Sequence, residues 1–261
     1  MTLTYIISGF AVGTLVGLTG VGGGSLMTPL LTLLFGVSSP AVAVGTDLAF
    51  ASITKATGTP LFTHRLRGSV EWDVVRLLCY GALPAALLAT LSLKYFGGIT
   101  QEVGQVIRYS IACSVLLTVV ALLFKGKMLE WLNNHPEKQL HGKKLAAATI
   151  ISGAVLGLLV TVSSIGAGAI GATLLVMLYP RMPAAHIAGT DIAYAVPLTA
   201  IAAIGHWWLG SINWELLGSL LLGSLPGITL GSMAAKAVPE KVLRVVLAST
   251  LTLVATKLMF S

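Results

Sequence analysis

The sequence predicts an all-α polytopic membrane protein built from two inverted repeats of about five helical segments each. Three observations support this fold class. Hydrophobic residues make up 56% of the 261-residue chain, charged residues only 10%, and the mean hydropathy is +0.91. Apolar segments follow one another with short polar links between them, and one set of motifs occurs twice in the same order. A soluble domain carries about 25% charged residues, so the composition excludes most soluble enzymes and nucleic-acid-binding proteins.

The second half of the chain repeats motifs of the first half. Gly45-Thr46-Asp47 returns 144 residues later as Gly189-Thr190-Asp191. Over the whole stretch, residues 8–47 match residues 152–191 at 14 of 40 positions. Further along, the offset becomes 142, and the pattern His-x-x-x-Gly-Ser-hydrophobic-x-Trp that begins at His64 returns. A repeat in fixed register indicates an internal duplication.

Each half contains five apolar segments. They cover residues 3–19, 25–36, 40–63, 72–94 and 104–124, then 146–163, 169–180, 185–208, 214–235 and 241–260. A helix needs about 20 residues to cross the hydrocarbon of a bilayer, whereas the second segment of each half has only twelve. Each short segment is therefore predicted to pair with the segment before it as a broken or re-entrant helical hairpin. The chain divides into a first repeat (1–124), a connector (125–145) and a second repeat (146–261).

The basic residues predict how the chain is oriented. If successive segments alternate sides, twelve Lys and Arg fall on one side and three on the other. Basic residues are enriched in cytoplasmic loops and contact anionic lipid headgroups, so the connector at 125–144 is predicted in the cytoplasm and both termini outside. Five segments per half is an odd number, which would invert the second repeat relative to the first.

A glycine-rich link separates the first two segments of each half. The prediction is that these links bind an anion through Gly22, Gly23, Gly24 and Ser25 in the first half and Gly166 and Gly168 in the second. Glycine lets an anion approach the bare N–H groups at a helix N-terminus, and inverted repeats place such helix breaks near the membrane midplane. The alternative is that the glycines only allow close helix packing.

Asp47 and Asp191 are the only acidic residues inside apolar segments and remote from a loop, and they occupy equivalent places in the two halves. A carboxylate at the bilayer centre costs about 2.5–3.5 kcal/mol on insertion scales, which favours a coupling or gating function. The neighbouring Thr46 and Thr190 are predicted to contribute hydroxyls to the anion site. Alternatively, each Thr-Asp pair caps a helix that is broken at the preceding glycine.

Lys55 lies eight residues beyond Asp47, or about 12 Å along a helix, and has no basic counterpart in the second half. Its ammonium is predicted to bind the anion. The alternatives are a buried pair with Asp47 and snorkelling to the interface. His64 and His206 stand at equivalent helix ends and are interpreted as interfacial anchors, with proton transfer as the alternative. No pattern of catalytic or metal-binding residues is present, and no cofactor is expected.

These features resemble the TauE/SafE family of sulfite and organosulfonate exporters. The resemblance rests on Gly-Val-Gly-Gly-Gly at 20–24, Gly-Thr-Asp-Leu at 45–48 and the His-to-Trp pattern at 64–72, and it covers nearly the whole chain. It implies transport of small sulfur-containing anions across a bacterial inner membrane by a homodimer. Together with the anion site, it predicts a proton-coupled secondary transporter, an exporter, that binds sulfite or an organosulfonate at the midplane between the two helix breaks. The alternative is a passive anion channel.

Overall fold

A computed structural model of the chain describes residues 2–19, 24–33, 35–37, 39–65, 68–96, 100–135, 137 and 139–234. Within these ranges the chain forms helices and no β-strand. The helices are α1 (Thr2–Thr19), α2 (Gly24–Leu33), α3 (Pro40–Arg65), α4 (Trp72–Tyr95), α5 (Gln101–Asn134), α6 (Gly142–Ser163), α7 (Ala169–Leu178), α8 (Ala184–Trp208) and α9 (Trp214–Ala234). The last predicted segment, 241–260, lies outside the described residues.

Five of the described helices are long and apolar enough to cross a membrane, namely α4, α5, α6, α8 and α9. The two short apolar segments correspond to α2 and α7, which have ten residues each. At 1.5 Å per residue each is about 15 Å long, roughly half the thickness of the hydrocarbon. The all-helical, membrane-spanning architecture confirms the coarse prediction of a polytopic membrane protein.

Helices α6 and α7 form a hairpin. Tyr179, the residue that follows α7, has its hydroxyl 2.8 Å from Oγ1 of Thr149, two turns into α6. Helix α7 therefore returns toward the end of the bundle at which α6 begins, as expected of a re-entrant hairpin. In the first half, α1 and α2 follow one another in the same way, but the link at 20–23 lies outside the described residues.

Helix α5 extends ten residues beyond the C-terminal end of the apolar segment that predicted it. That segment ends at residue 124 because Lys125 and Lys127 lower the local hydropathy. The helix nevertheless continues to Asn134, since Leu129 packs against the core and Leu132 is buried. Gly126, a residue type that often follows a helix end, lies inside the helix and does not end it. The first ten residues of the predicted connector are thus helical.

Helices α1 and α9 lie side by side through glycines on both. The glycines recur at every fourth position, as Gly9, Gly13 and Gly17 in α1 and Gly223, Gly227 and Gly231 in α9. A Cβ added at any of the six would stand under 3.0 Å from the backbone of the facing helix. Such small-residue stripes let membrane helices approach closely enough for dispersion forces to hold them together. The contact points advance in the same direction along both helices, so α1 and α9 run parallel.

Helices α4 and α6 make the same contact a second time. The backbone contacts are Gly153 with Leu78, Gly157 with Ala82 and Gly81 with Ile150, and their counterparts are Gly9 with Leu220, Gly13 with Ser224 and Gly223 with Ile6. Every pair is related to its counterpart by the repeat offsets of 144 and 142 residues. The sequence analysis did not assign these glycines to a contact between helices, although their four-residue spacing was a usable signal.

Adding one methyl group to this glycine contact is expected to destabilise the protein. Gly223→Ala places a Cβ against the Ile6 carbonyl of α1, and overpacking of this kind costs about 1–3 kcal/mol. The matched control is Gly218→Ala in the same helix, where a Cβ would meet nothing within 4 Å. We expect a lower melting temperature in detergent for Gly223→Ala and an unchanged or higher one for Gly218→Ala. Equal melting temperatures would contradict the tight contact.

Helices α3 and α8 pack against each other in opposite directions. Near the start of α3, Thr46 Oγ1 accepts a hydrogen bond from the backbone N–H of Asn213, just before α9, at 3.0 Å. Near the start of α8, Thr190 Oγ1 accepts one from the N–H of Glu71, just before α4, also at 3.0 Å. The N-terminus of each of these two helices thus lies beside the link that follows the C-terminus of the other. Asp47 and Asp191, both near the N-termini, therefore enter the helix pair from opposite ends.

Candidate functional site

The break between α6 and α7 is made by residues with unusual backbone angles. Ser164 has φ 59°, while Gly166 and Gly168 have φ 132° and 147°. These are left-handed conformations that glycine adopts readily and other residues rarely adopt. Because α7 begins at Ala169, its first N–H groups have no partner within the helix and form its positive end. Gly166 and Gly168 therefore directly precede a helix N-terminus, and anion binding there stays a prediction.

Hydrogen bonds hold this turn in place. Ser163 Oγ accepts from the N–H of Ile165 at 3.2 Å and contacts Ser114 Oγ of α5 at 3.1 Å. The N–H of Gly171 donates to the carbonyl of Gly166 at 3.0 Å, which closes the first turn of α7. A braced turn keeps its amides in a fixed direction, which is what a preformed anion site requires.

Lys55 reaches this turn from α3. Its Nζ donates to the carbonyl of Ala167 at 2.8 Å, and only 2% of the residue is exposed. The alternative that Lys55 snorkels to the interface is therefore wrong, because its ammonium ends inside the protein. The buried-pair alternative extends to a second carboxylate, since Asp191 and Asp47 both act on the Lys55 ammonium.

Asp47 is completely buried and lies between α2 and the α6–α7 turn. Its Oδ2 accepts hydrogen bonds from the backbone N–H of Thr28, at 3.1 Å, and from the Thr28 hydroxyl. Its Oδ1 has no hydrogen-bond partner among the described residues, although the Ser164 hydroxyl lies beside the carboxylate. Asp47 does not cap a helix broken at Gly45, since α3 runs unbroken from Pro40.

Asp191 occupies the equivalent place in α8 and is 1% exposed. Its Oδ1 lies so close to Gly171 of α7 that a Cβ there would collide with it. This oxygen likewise has no hydrogen-bond partner in the described part of the chain. The charges of Lys55 and Lys125 both act on the carboxylate. Helix α8 passes through Gly189 without a break, so the capping alternative fails here too.

Tyr194, one turn beyond Asp191, is a residue that sequence reasoning missed. It is fully buried, and its hydroxyl approaches Gly171 beside the Asp191 carboxylate. The hydroxyls of Tyr194 and Ser164 have no hydrogen-bond partner among the described residues. A buried polar group without a partner costs about 1–3 kcal/mol, so several of them around one turn indicate a place where a polar ligand belongs.

The predicted ligands Thr46 and Thr190 are buried, and each hydroxyl accepts a loop N–H in the bonds described above. These bonds join the start of each helix to the opposite half. Gly24 is the first residue of α2 and Ser25 the second, and the side chain of Ser25 lies outside the described residues. Gly22 and Gly23 also lie outside them, so the first half of the predicted site stays a prediction.

His206 is buried and forms hydrogen bonds at both ring nitrogens. Nδ1 lies 3.0 Å from Ser211 Oγ, and Nε2 lies 2.9 Å from the Thr161 carbonyl of α6. The interpretation of His206 as an interfacial anchor is therefore wrong. It joins α6 to the link after α8, deep in the protein. The side chain of His64 lies outside the described residues.

The sequence is similar to those of known proteins along nearly its whole length. The profile of the family described as "Sulfite exporter TauE/SafE" matches residues 5–258. A Bacillus subtilis (strain 168) protein named "Probable membrane transporter protein YjnA" is 35% identical over 249 residues, which cover 95% of this chain and 96% of that protein. "Probable membrane transporter protein YdhB" of the same organism is 26% identical over 247 residues, with 93% and 94% covered.

A Xylella fastidiosa (strain Temecula1 / ATCC 700964) protein, "Probable membrane transporter protein", is 27% identical over 244 residues, covering 90% of this chain and 87% of that protein. No solved structure matches the chain. The similarity to these proteins extends over the full set of helices that surrounds the α6–α7 turn.

Proposed function

This chain belongs to the TauE/SafE family, and from that premise we propose that it is a secondary transporter of small sulfur-containing anions such as sulfite or organosulfonates. The family is one of membrane transporters rather than enzymes. Export is the direction that the family's description names, and we propose a bacterial inner membrane as its location.

The contact between Lys55 and the α6–α7 turn is the observation that supports this proposal best. The Lys55 ammonium donates to the carbonyl oxygen of Ala167, next to the positive N-terminal end of α7. An oxyanion can take the place of that carbonyl as the acceptor of Lys55 while it also accepts the first N–H groups of α7. Gly166 and Gly168 carry no side chain of their own that would hinder this approach.

Charge counting supports coupling to protons. Among the residues whose burial the structure describes, the buried Asp, Glu, Lys and Arg residues are Asp47, Asp191 and Lys55. The negative charge of the two ionised carboxylates exceeds the positive charge of the one ammonium. An anion that enters this site therefore adds a further negative charge, in a protein interior that screens charges poorly. A proton on one carboxylate offsets that charge, which links anion binding to proton binding.

We further propose the inverted arrangement, with both termini outside and the connector at 125–144 in the cytoplasm. Two features support it: α3 and α8 are equivalent in sequence yet antiparallel, and twelve of the fifteen basic residues other than Lys55 fall on one side when successive segments alternate. A reporter that is active only outside the cytoplasm should be active when fused after Ser261 and inactive when inserted near His141. The reverse pattern would refute the orientation.

The transport proposal is tested with purified protein in liposomes. A thermal-shift screen of sulfite, sulfate, thiosulfate and small sulfonates identifies the ligand, and radiolabelled sulfite then reports flux. We expect an imposed pH gradient to drive sulfite against its own concentration gradient, and a proton ionophore to abolish this. Flux that only follows the sulfite gradient would indicate the passive channel instead. The resemblance also implies a homodimer, which light scattering of the detergent-solubilised protein tests.

A further inference from the structure

Two buried hydroxyl groups lie beside the α6–α7 turn, that of Ser164 next to the Asp47 carboxylate and that of Tyr194 next to the Asp191 carboxylate. Tyr194 in α8 is 0% exposed and Ser164 is 3% exposed, and neither hydroxyl has a hydrogen-bond partner within the described ranges. Tyrosine in an apolar core usually finds a partner for its O–H group. Phenylalanine would fill the Tyr194 position without the cost of an unmet hydrogen bond.

The two hydroxyls lie on the same turn as Lys55. A Cβ at Gly171, in the first turn of α7, would be under 3.0 Å from both the Tyr194 hydroxyl and Asp191 Oδ1. Ser164 lies at the other end of the turn, directly after α6. The carbonyl that accepts from Lys55 belongs to Ala167, between these two points. Lys55 from α3 and Tyr194 from α8 thus approach the eight-residue segment 164–171, to which Ser164 itself belongs.

The first half of the chain has no hydroxyls at the corresponding positions. With the offset of 144, Phe50 corresponds to Tyr194, Gly20 to Ser164 and Met27 to Gly171. Phe50 and Met27 are fully buried. Asp47 receives its hydrogen bonds from Thr28, within its own half, whereas the position corresponding to Thr28 in the second half is Ala172. The second half therefore carries two hydroxyls, those of Tyr194 and Ser164, that the first half lacks at the corresponding positions.

We propose that the Tyr194 and Ser164 hydroxyls donate hydrogen bonds to oxygens of the transported anion and select oxyanions over halides. The inference rests on the proposed function and adds two residues to its site. Neutral donors suit a site with two carboxylates, because they bind an anion without forming a salt bridge with Asp191. An oxyanion of sulfur presents several separate acceptor oxygens, which can meet Lys55, Tyr194 and Ser164 at once, whereas a halide presents a single atom.

A bound metal cation is the competing occupant of the same oxygens. The two buried carboxylates, Asp47 and Asp191, attract a cation, whereas the charges of Lys55 and Lys125 oppose one beside Asp191. If sodium ions, rather than sulfite, raised the melting temperature in a Tyr194-dependent way, the hydroxyls would be cation ligands and the proposal would be wrong.

The test uses two substitutions, each of which introduces the residue found at the corresponding position of the first half. Tyr194→Phe removes only the hydroxyl, and Ser164→Gly removes a hydroxyl at a position whose φ of 59° suits glycine. Both proteins are therefore expected to fold with melting temperatures near that of the parent protein. The matched control is Tyr179→Phe, which removes a tyrosine hydroxyl at the opposite end of α7, where Thr149 is its partner.

Binding of sulfite and of chloride to each purified protein is then measured by calorimetry. We expect sulfite to bind about tenfold or more weakly to Tyr194→Phe and to Ser164→Gly, because each loses a hydrogen bond to a charged ligand. The Tyr179→Phe control should bind as the parent does, and chloride binding should be weak in all four proteins. Unchanged sulfite affinity in a folded Tyr194→Phe protein would overturn the inference.

Lys55→Gln separates this inference from the proposed function. If Lys55→Gln loses sulfite affinity while Tyr194→Phe and Ser164→Gly keep it, the anion site stands and the hydroxyl assignment fails. If none of the three changes affects binding, the anion is bound elsewhere. The proposed anion site at the α6–α7 turn and the hydroxyl assignment then both fail.

Discussion

Replacing Lys55 by glutamine is expected to weaken sulfite binding about tenfold to a hundredfold, since a hydrogen bond to a charged group is worth about 1.5–3 kcal/mol. Glutamine keeps a hydrogen-bond donor at this position and loses only the charge. Titration calorimetry of the purified variant measures the affinity, and the melting temperature without ligand shows whether the fold is intact. We expect any flux that remains to respond to pH.

The rival explanation is that Lys55 neutralises Asp191 and plays no part in binding. Removing one partner of a buried ion pair costs about 3–5 kcal/mol, because the other charge is left unpaired. In that case both Lys55→Gln and Asp191→Asn would fold poorly, and the double variant would recover. Rescue of expression and melting temperature by the double variant would remove Lys55 from the anion site. Weaker sulfite binding by well-folded single variants would keep it there.

Replacing Asp47 by asparagine is expected to abolish the pH dependence of transport while affinity stays equal or improves. Asparagine keeps an oxygen that accepts from the N–H and hydroxyl of Thr28, so the contacts of Asp47 Oδ2 are retained. The variant loses a negative charge near the anion and cannot bind the proton that offsets it. Sulfite flux into proteoliposomes at several external pH values, with and without a pH gradient, measures the effect.

Asp191→Asn serves as the matched variant from the other half. It removes the equivalent carboxylate, which Lys55 and Lys125 rather than Thr28 stabilise. If the two carboxylates act together, both variants should lose pH-driven accumulation of sulfite. Loss in one variant alone would assign the proton to that carboxylate. Normal pH-driven accumulation in both variants would show that neither carboxylate couples transport to protons.

The sequence predicted features that depend on position along a helix axis. Twelve-residue apolar segments indicated α2 and α7, and the duplicated Gly-Thr-Asp triplet indicated buried acids near the start of α3 and α8. Charge and length set such features, and both can be read directly from a linear sequence. Lys55 was likewise placed about two turns beyond Asp47, at the depth where it meets the α6–α7 turn.

Features that depend on direction around a helix were harder to predict. These helices are apolar on nearly all sides, so periodicity does not show which face meets which neighbour. For that reason the sequence did not show that Thr46 and Thr190 accept hydrogen bonds from loop N–H groups. It also did not show that His206 points inward or that the Tyr194 hydroxyl lies beside Asp191. The predicted segment for α5 was too short because hydropathy identifies the part of a helix that lies in lipid. The helix continues beyond that part, where Leu132 is buried by protein.

The doubled glycine contact has a consequence for the origin of this protein. Helix α1 is covered by α9 and helix α6 by α4, so the tightest contact of each repeat is made with the other repeat and not within itself. A half-length ancestor encoded by a single unduplicated gene would have exposed the glycine stripe of α1. A second copy of the same polypeptide, inserted in the opposite orientation, offers the surface that covers it. With the proposed inverted arrangement, a half-length ancestor could form this contact only by entering the membrane in both orientations.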